Sequence, residues 1–155
     1  HMKKRMKELE APLAGEMSGH IFIADDYLGF DDAIYAAVRV ITQMVKGGQS
    51  ITEFMDSLPE QHATPELRID CPDTVKFDSM EKIRAHVLSG HDAADVNSID
   101  GVRVRSGDGW WLIRASNTEA ALVARAEAAD RTALDRLLGD IETTLAAAGL
   151  DWKRP

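Results

Sequence analysis

The apolar positions fall into two regions with different periodicities. In the first, Ile21, Phe22 and Ile23 form a short continuous run suited to a buried strand. Ile34, Val38, Ile41 and Val45 then recur at helical spacing. Asp31 and Asp32 precede them, where carboxylates meet the positive end of a helix dipole. Gly47 is expected to stop this helix. Ser50-Ile51-Thr52-Glu53 has the form of a capping box and opens a short helix that Pro59 ends. Residues 3–11 read as the tail of a helix, and Ala14 to His20 as a loop.

Residues 58–66, LPEQHATPE, carry two prolines and few apolar side chains. A linker is expected over 59–66, between a region 1–58 and a region 67–155. Beyond it Leu67, Ile69 and Cys71 alternate as in a strand. Asp78 and Glu81 are expected to cap a helix with Met80, Ile83 and Val87 on one stripe and Gly90 after it. Val102 and Val104 alternate in a second strand, Ser106 to Gly109 reads as a hairpin turn, and Trp110 to Ile113 as a third strand. Ala121 to Ala126 reads as a fourth. Asp130 caps a last helix presenting Leu134, Leu137, Leu138, Ile141 and Leu145, ended by Gly149.

This order predicts an α+β unit, an antiparallel four-stranded sheet with two helices on one face. The first region cannot close in that way. It offers one strand, whose backbone groups would lack ladder partners, and two helices. It reads as an incomplete α/β segment, expected to be partly disordered, rearranged, or paired with another copy of the chain.

Charge narrows the function classes. The formal net charge is −8 over 155 residues, so the neutralisation of phosphates that drives nucleic-acid binding is not expected. The basic stretch Lys3, Lys4, Arg5, Lys7 reads as a solvated helix face. No apolar run is long enough to span a bilayer, and no signal peptide is expected. His1-Met2 reads as a cloning remnant, and a start within a helix at Lys3 suggests a cut from something longer. Cys71 is the single cysteine, so no internal disulfide forms, and a reducing, cytoplasmic setting is expected. Its alternation with Leu67 and Ile69 marks it as a buried structural thiol. His86, His91 and Asp92 lie at a helix end with spacing unsuited to a metal site.

Two loops carry candidate chemistry. Gly15-Glu16-Met17-Ser18-Gly19-His20 offers a carboxylate, a hydroxyl and an imidazole, with glycines that allow close backbone approach. Glu16 and Ser18 suit adjacent sugar hydroxyls, but a polar turn before a strand would read the same way. Arg114-Ala115-Ser116-Asn117-Thr118 follows a strand expected to end at Ile113. Arg114 presents a planar fork for two phosphate oxygens, Ser116 and Thr118 add hydroxyls, and Asn117 adds an amide. The loop amides can form an anion nest. A hairpin loop with an incidental arginine is the other reading.

Taken together, the two loops resemble those of the α-D-phosphohexomutase family. There a G-E-x-S-G-H loop of the third domain contacts sugar hydroxyls, and an R-x-S-N-T or R-x-S-G-T loop of the fourth holds the substrate phosphate. The stretches GEMSGHIFIADDYLGFDDAIYAA and DGVRVRSGDGWWLIRASNTE carry the resemblance, which covers nearly the whole chain. Met17 and Asn117 lean toward the phosphomannomutase/phosphoglucomutase branch. Ala120 stands where relatives commonly have proline.

The resemblance implies that residues 1–58 are the end of a third α/β domain and 67–155 a fourth domain with a fold like that of TATA-box-binding protein. It implies a parent enzyme that moves a phosphoryl group between the C1 and C6 oxygens of mannose or glucose phosphate, through a phosphoserine and a bisphosphorylated sugar. The phosphoserine loop and the D-G-D-x-D-R-like magnesium loop are absent here. The pairs Asp25-Asp26 and Asp31-Asp32 read as strand-end and helix-start residues. The chain is therefore expected to bind substrate through Glu16, Ser18, His20, Arg114, Ser116, Asn117 and Thr118, without turnover. Magnesium is assigned to the parent, and the expected partners are the hexose phosphate and the missing N-terminal domains. A stand-alone sugar-phosphate or protein-interaction module is the alternative.

Overall fold

The computed structural model describes residues 2–16 and 18–154. His1, of the expected cloning remnant, and Met17, one of the two residues pointing to a branch of the family, lie outside the described residues. The chain divides into two compact units that meet between Pro59 and Glu60.

The first unit begins with helix α1 (Met2–Leu9), which buries Met6. Strand β1 (Leu13–Gly15) then pairs antiparallel with β2 (Ile21–Ile23), with Leu13 opposite Ile23 and Gly15 opposite Ile21. This overturns the expectation of a lone strand. Leu-Ala-Gly carries none of the β-branched or aromatic residues that mark strands, so β1 is set by its partner and not by its own composition. The pairing satisfies backbone groups that would otherwise be orphaned. Phe22 and Ile23 are buried.

Helix α2 (Ala33–Gly47) is capped by Asp32, whose Oδ1 accepts the Tyr35 amide at 2.9 Å. Its C-cap is Gly48, left-handed at φ 64°, so the helix runs through Gly47 rather than stopping at it. No residue of α2 is buried. Ile34 and Val45 are 80% and 78% exposed, with Val38 and Ile41 more than half exposed. The stripe predicted from helical spacing exists, but no sheet covers it. Helix α3 (Ile51–Asp56) has both bonds of the capping box, Glu53 N to Ser50 Oγ and Ser50 N to the Glu53 carboxylate.

The second unit is an antiparallel sheet under two helices. Its strands are β3 (His62–Ala63), β4 (Leu67–Asp70), β5 (Val96–Asn97), β6 (Val102–Ser106), β7 (Gly109–Ala115) and β8 (Ala121–Ala128). The order is β3-β8-β7-β6-β5, with β4 also on β8. β4 lies along residues 121–124 and β3 along 127–128 of the same edge. The four predicted strands are thus β4, β6, β7 and β8, and β3 and β5 are two-residue additions. Thr64 is buried and exchanges two hydrogen bonds with Ala126, so part of the expected 59–66 linker already belongs to the sheet.

Helix α4 (Asp73–Gly90) has Pro72 as its N-cap, six residues before the expected cap Asp78. Proline pre-sets the helical φ where an amide has no partner, so Asp78 and Glu81 are mid-helix residues and not caps. Helix α5 (Arg131–Ala147) is capped as predicted, with Asp130 Oδ1 accepting the Ala133 amide at 2.7 Å. Met80, Ile83 and Val87 of α4 and Leu134, Leu137, Ile141 and Leu145 of α5 meet Ile69, Val102, Val104, Trp111, Ile113 and Leu122 in one core. Cys71 is fully buried there, beside Ser79. Full burial of each such aliphatic side chain contributes ~1.5–3 kcal/mol. Because the core takes alternate residues of β7, Arg114 lies on the opposite face of the sheet from the helices.

Candidate functional site

Each unit carries one of the two loops. In the first, residues 16–20 join β1 to β2. The Glu16 amide donates to His20 O at 2.9 Å, and the Gly19 amide, at φ 90°, donates to Glu16 O at the same distance. Ser18 Oγ donates to the Glu16 carboxylate at 3.2 Å. His20 Nδ1 stands 2.6 Å from Asp31 Oδ2, while Asp31 Oδ1 accepts the Ile21 amide at 3.2 Å. The carboxylate is therefore tied to the backbone on one side and to the imidazole on the other, which fixes the ring. The hydrogen bond and charge of Asp31 raise the His20 pKa above its ordinary value, with a smaller push from Glu16. Asp31 is more than a helix-start residue, and sequence reasoning missed its pairing with His20 across eleven positions.

The segment that presents Asp31 is itself fastened. Tyr27 donates to the Asp32 carboxylate at 2.6 Å and stacks on Tyr35, with centroids 3.7 Å apart. The Tyr27 hydroxyl, then the Tyr35 amide, hold the Asp32 carboxyl below its usual range. Arg39 reaches the Asp25 carboxylate at 2.8 Å and the Tyr35 hydroxyl at 3.2 Å. Asp25 and Asp32 are thus structural.

In the second loop, Arg114 sits within β7, opposite Val123, because the strand runs two residues beyond Ile113. It is half-buried, and among the described residues its side chain makes no hydrogen bond or ion pair. Its backbone is pressed by Gly101, where a Cβ would stand 2.6 Å from Arg114 Cβ.

Residues 116–120 then turn into β8. The Ser116 amide donates to Ala121 O at 3.0 Å. Ser116 is buried, and its Oγ accepts the Thr118 and Glu119 amides at 3.4 and 3.2 Å. Those two amides face into the loop, so the expected nest is narrower than four successive amides would allow. The side chains of Asn117 and Thr118 are exposed. The Glu119 carboxylate, next along the chain, is paired with Arg68.

Sequence reasoning also missed Lys76. Its ammonium is buried and donates to Ser116 O at 2.8 Å, Glu119 O at 2.9 Å and Asp73 Oδ1 at 2.6 Å. The signal was present, since Lys76 precedes Met80, Ile83 and Val87 on the apolar stripe of α4, where a lone charge calls for partners. Among the described residues no group of three His, Cys, Asp or Glu side chains is arranged to hold a metal ion. Among them, no helix is long and apolar enough to cross a membrane.

Comparison with known proteins adds the following. Residues 66–144 match the family profile "Phosphoglucomutase/phosphomannomutase, C-terminal domain", and residues 1–62 match "Phosphoglucomutase/phosphomannomutase, alpha/beta/alpha domain III". A phosphomannomutase/phosphoglucomutase of Pseudomonas putida is 42% identical over 144 residues, 93% of this chain and 31% of that protein. A phosphoglucomutase of Neisseria gonorrhoeae is 38% identical over 136 residues, 88% of this chain and 29% of that protein. A crystal structure of a phosphoglucomutase/phosphomannomutase family protein from Burkholderia thailandensis superposes with a TM-score of 0.80 at 36% identity, covering 96% of this chain and 31% of that one. The chain spans about a third of the length of the curated relatives it matches.

Proposed function

Since this chain belongs to the phosphoglucomutase/phosphomannomutase family, we propose that it is the C-terminal part of an isomerase that interconverts hexose 1-phosphate and hexose 6-phosphate, and that it holds substrate without turning it over. In this reading the chemistry, a phosphoserine and magnesium, belongs to N-terminal domains of the longer protein.

The observation that carries the reading is Arg114. A half-buried guanidinium with no carboxylate partner among the described residues is poised for an outside anion. Its planar fork matches two oxygens of a phosphate that is not reacting. Asn117 and Thr118 add exposed donors beside it, and the Ser116 hydroxyl adds one from within the loop. Phosphoryl transfer relies on positioning and charge neutralisation, and these residues supply both for the idle phosphate.

Glu16 and Ser18 are assigned to ring hydroxyls, one as acceptor and the other as donor once a ligand displaces their mutual bond. His20, whose pKa Asp31 raises, is assigned to the sugar through its Nε2 side, a charged donor when the ring is protonated. The same groups bind the ring in either orientation, as an enzyme that exchanges C1 and C6 requires.

The bare stripe of α2 favours a second element of the proposal. Upstream domains of the longer protein cover it, and in their absence a second copy of the chain does so. A reducing, cytoplasmic setting is proposed from the single cysteine.

Calorimetric titration of the chain with glucose 1-phosphate, beside glucose, tests the reading, with a coupled assay for glucose 6-phosphate run on the same samples. Saturable binding of the phosphate ester, weaker binding of glucose and no product are expected. Equal affinity for glucose would remove the phosphate role, and product formation would remove the assignment of chemistry to other domains.

A further inference from the structure

Lys76 is spent entirely on the back of the second loop. Its three protons go to Ser116 O, Glu119 O and the Asp73 carboxylate, so it has none to offer a ligand. The two carbonyls bracket the loop, and each belongs to a peptide unit whose N–H lies on the next residue. In a trans peptide the C=O and N–H point in opposite directions. Drawing Ser116 O and Glu119 O toward the ammonium therefore turns the Asn117 and Ala120 amides away from it, toward the outside of the loop. Neither amide has a hydrogen-bond partner among the described residues. The two amides between them are already tied to Ser116 Oγ. The loop is thus sorted into two inward amides and two outward ones.

We propose that Lys76 is the positioning residue of the anion loop, fixing the peptide planes that aim the Asn117 and Ala120 amides at a bound phosphate without touching it. This rests on the phosphate reading of Arg114 and its neighbours. An amide that is already oriented pays no ordering cost when the anion arrives, so the brace acts through preorganisation. A buried side chain of α4 is in this way part of the loop's binding chemistry, although it belongs to neither motif.

The full chain is titrated with inorganic phosphate by amide NMR, as wild type, Lys76→Gln and Lys76→Met. Glutamine keeps one donor for one carbonyl, and methionine keeps only the apolar stem. The expected order of affinity is wild type, then Gln, then Met. The Met midpoint rises about tenfold, the loss of roughly one charge-assisted hydrogen bond. Phosphate-induced shifts at Asn117 and Ala120 shrink in the same order, while tryptophan fluorescence of the second unit keeps a cooperative melt. Wild-type midpoints and shifts in the Met variant would overturn the proposal. If Met fails to fold, the Gln variant carries the same comparison. If wild type shows no phosphate response, the binding reading fails, and the brace is judged without ligand. Faster amide exchange at 118 and 119, the two amides tied to Ser116 Oγ, in the variants then supports the brace, and unchanged exchange there rejects it.

Discussion

Gly101 lies directly against the backbone of Arg114. A Cβ built at 101 would stand 2.3 Å from Ile113 O and 2.6 Å from Arg114 Cβ, and Gly101 adopts φ +78°. No side chain fits there without moving the strand that presents the guanidinium. The turn entering β6 is therefore a template for β7 at Arg114, next to the end of that strand.

Gly101→Ala is expected to destabilise the second unit by ~1–3 kcal/mol from left-handed strain, with the overlap added to it. It should also displace the Arg114 amide resonance. Trp110, Trp111 and Trp152 all lie in the second unit, so fluorescence-detected denaturation isolates that effect. An unchanged midpoint together with an unmoved Arg114 resonance would contradict the template role.

The His20–Asp31 pair makes a pH prediction. His20 has its folded pKa raised, chiefly by the hydrogen bond to Asp31. Any stability from the pair is therefore fully present below the unfolded value of about 6.5 and lost as pH rises through the higher folded value. Imidazole titration by NMR should place His20 above the ordinary range in wild type and nearer to it in Asp31→Asn. Glu16→Gln should lower it by less, because its charge is the smaller cause. A His20 titration unmoved by Asp31→Asn would rule out the pairing.

Two isoleucines on two helices should behave oppositely. Ile141 of α5 is fully buried, and Ile41 of α2 is 60% exposed. Ile141→Ala should cost ~2–5 kcal/mol, whereas Ile41→Ala should stay within about 0.5 kcal/mol in a dilute monomer. Chemical denaturation with tryptophan fluorescence for the first and circular dichroism for the second separates them. Comparable losses at both sites would mean that the stripe of α2 is covered within a single chain.

That stripe also predicts association. Replacing Ile34 and Val45 together by glutamate should leave helicity intact and shift the sedimentation profile of the chain toward monomer. Identical profiles for the double variant and wild type, with dimer present in both, would place self-association elsewhere.

The second unit was largely legible because its core residues obey the periods of their elements. Val102 and Val104 alternate, and Leu134, Leu137, Ile141 and Leu145 hold one stripe, so strand and helix follow from position alone. The start of α4 was not legible, since the visible carboxylates Asp78 and Glu81 imitate caps while Pro72 does the work. Strand β1 was invisible because three small or flexible residues carry no strand signal until β2 pairs with them. At the loops, motif residues could be read but their supports could not. Asp31, Lys76 and Gly101 act across separations of 11, 40 and 13 positions on His20, Ser116 and Arg114, and local pattern contains no record of such contacts.

The most direct test of the account is a titration of wild type and Arg114→Ala with glucose 1-phosphate, followed by amide NMR over residues 114–118. Glu16→Ala, Ser18→Ala and His20→Ala are run beside them. Loss of a bidentate charged contact should weaken binding about tenfold or more in Arg114→Ala, beyond any change in the other three. Shifts at 114–118 should saturate in wild type and nearly vanish in that variant. Equal affinities for wild type and Arg114→Ala, with residues 114–118 silent in both, would contradict the anion seat on which the account stands.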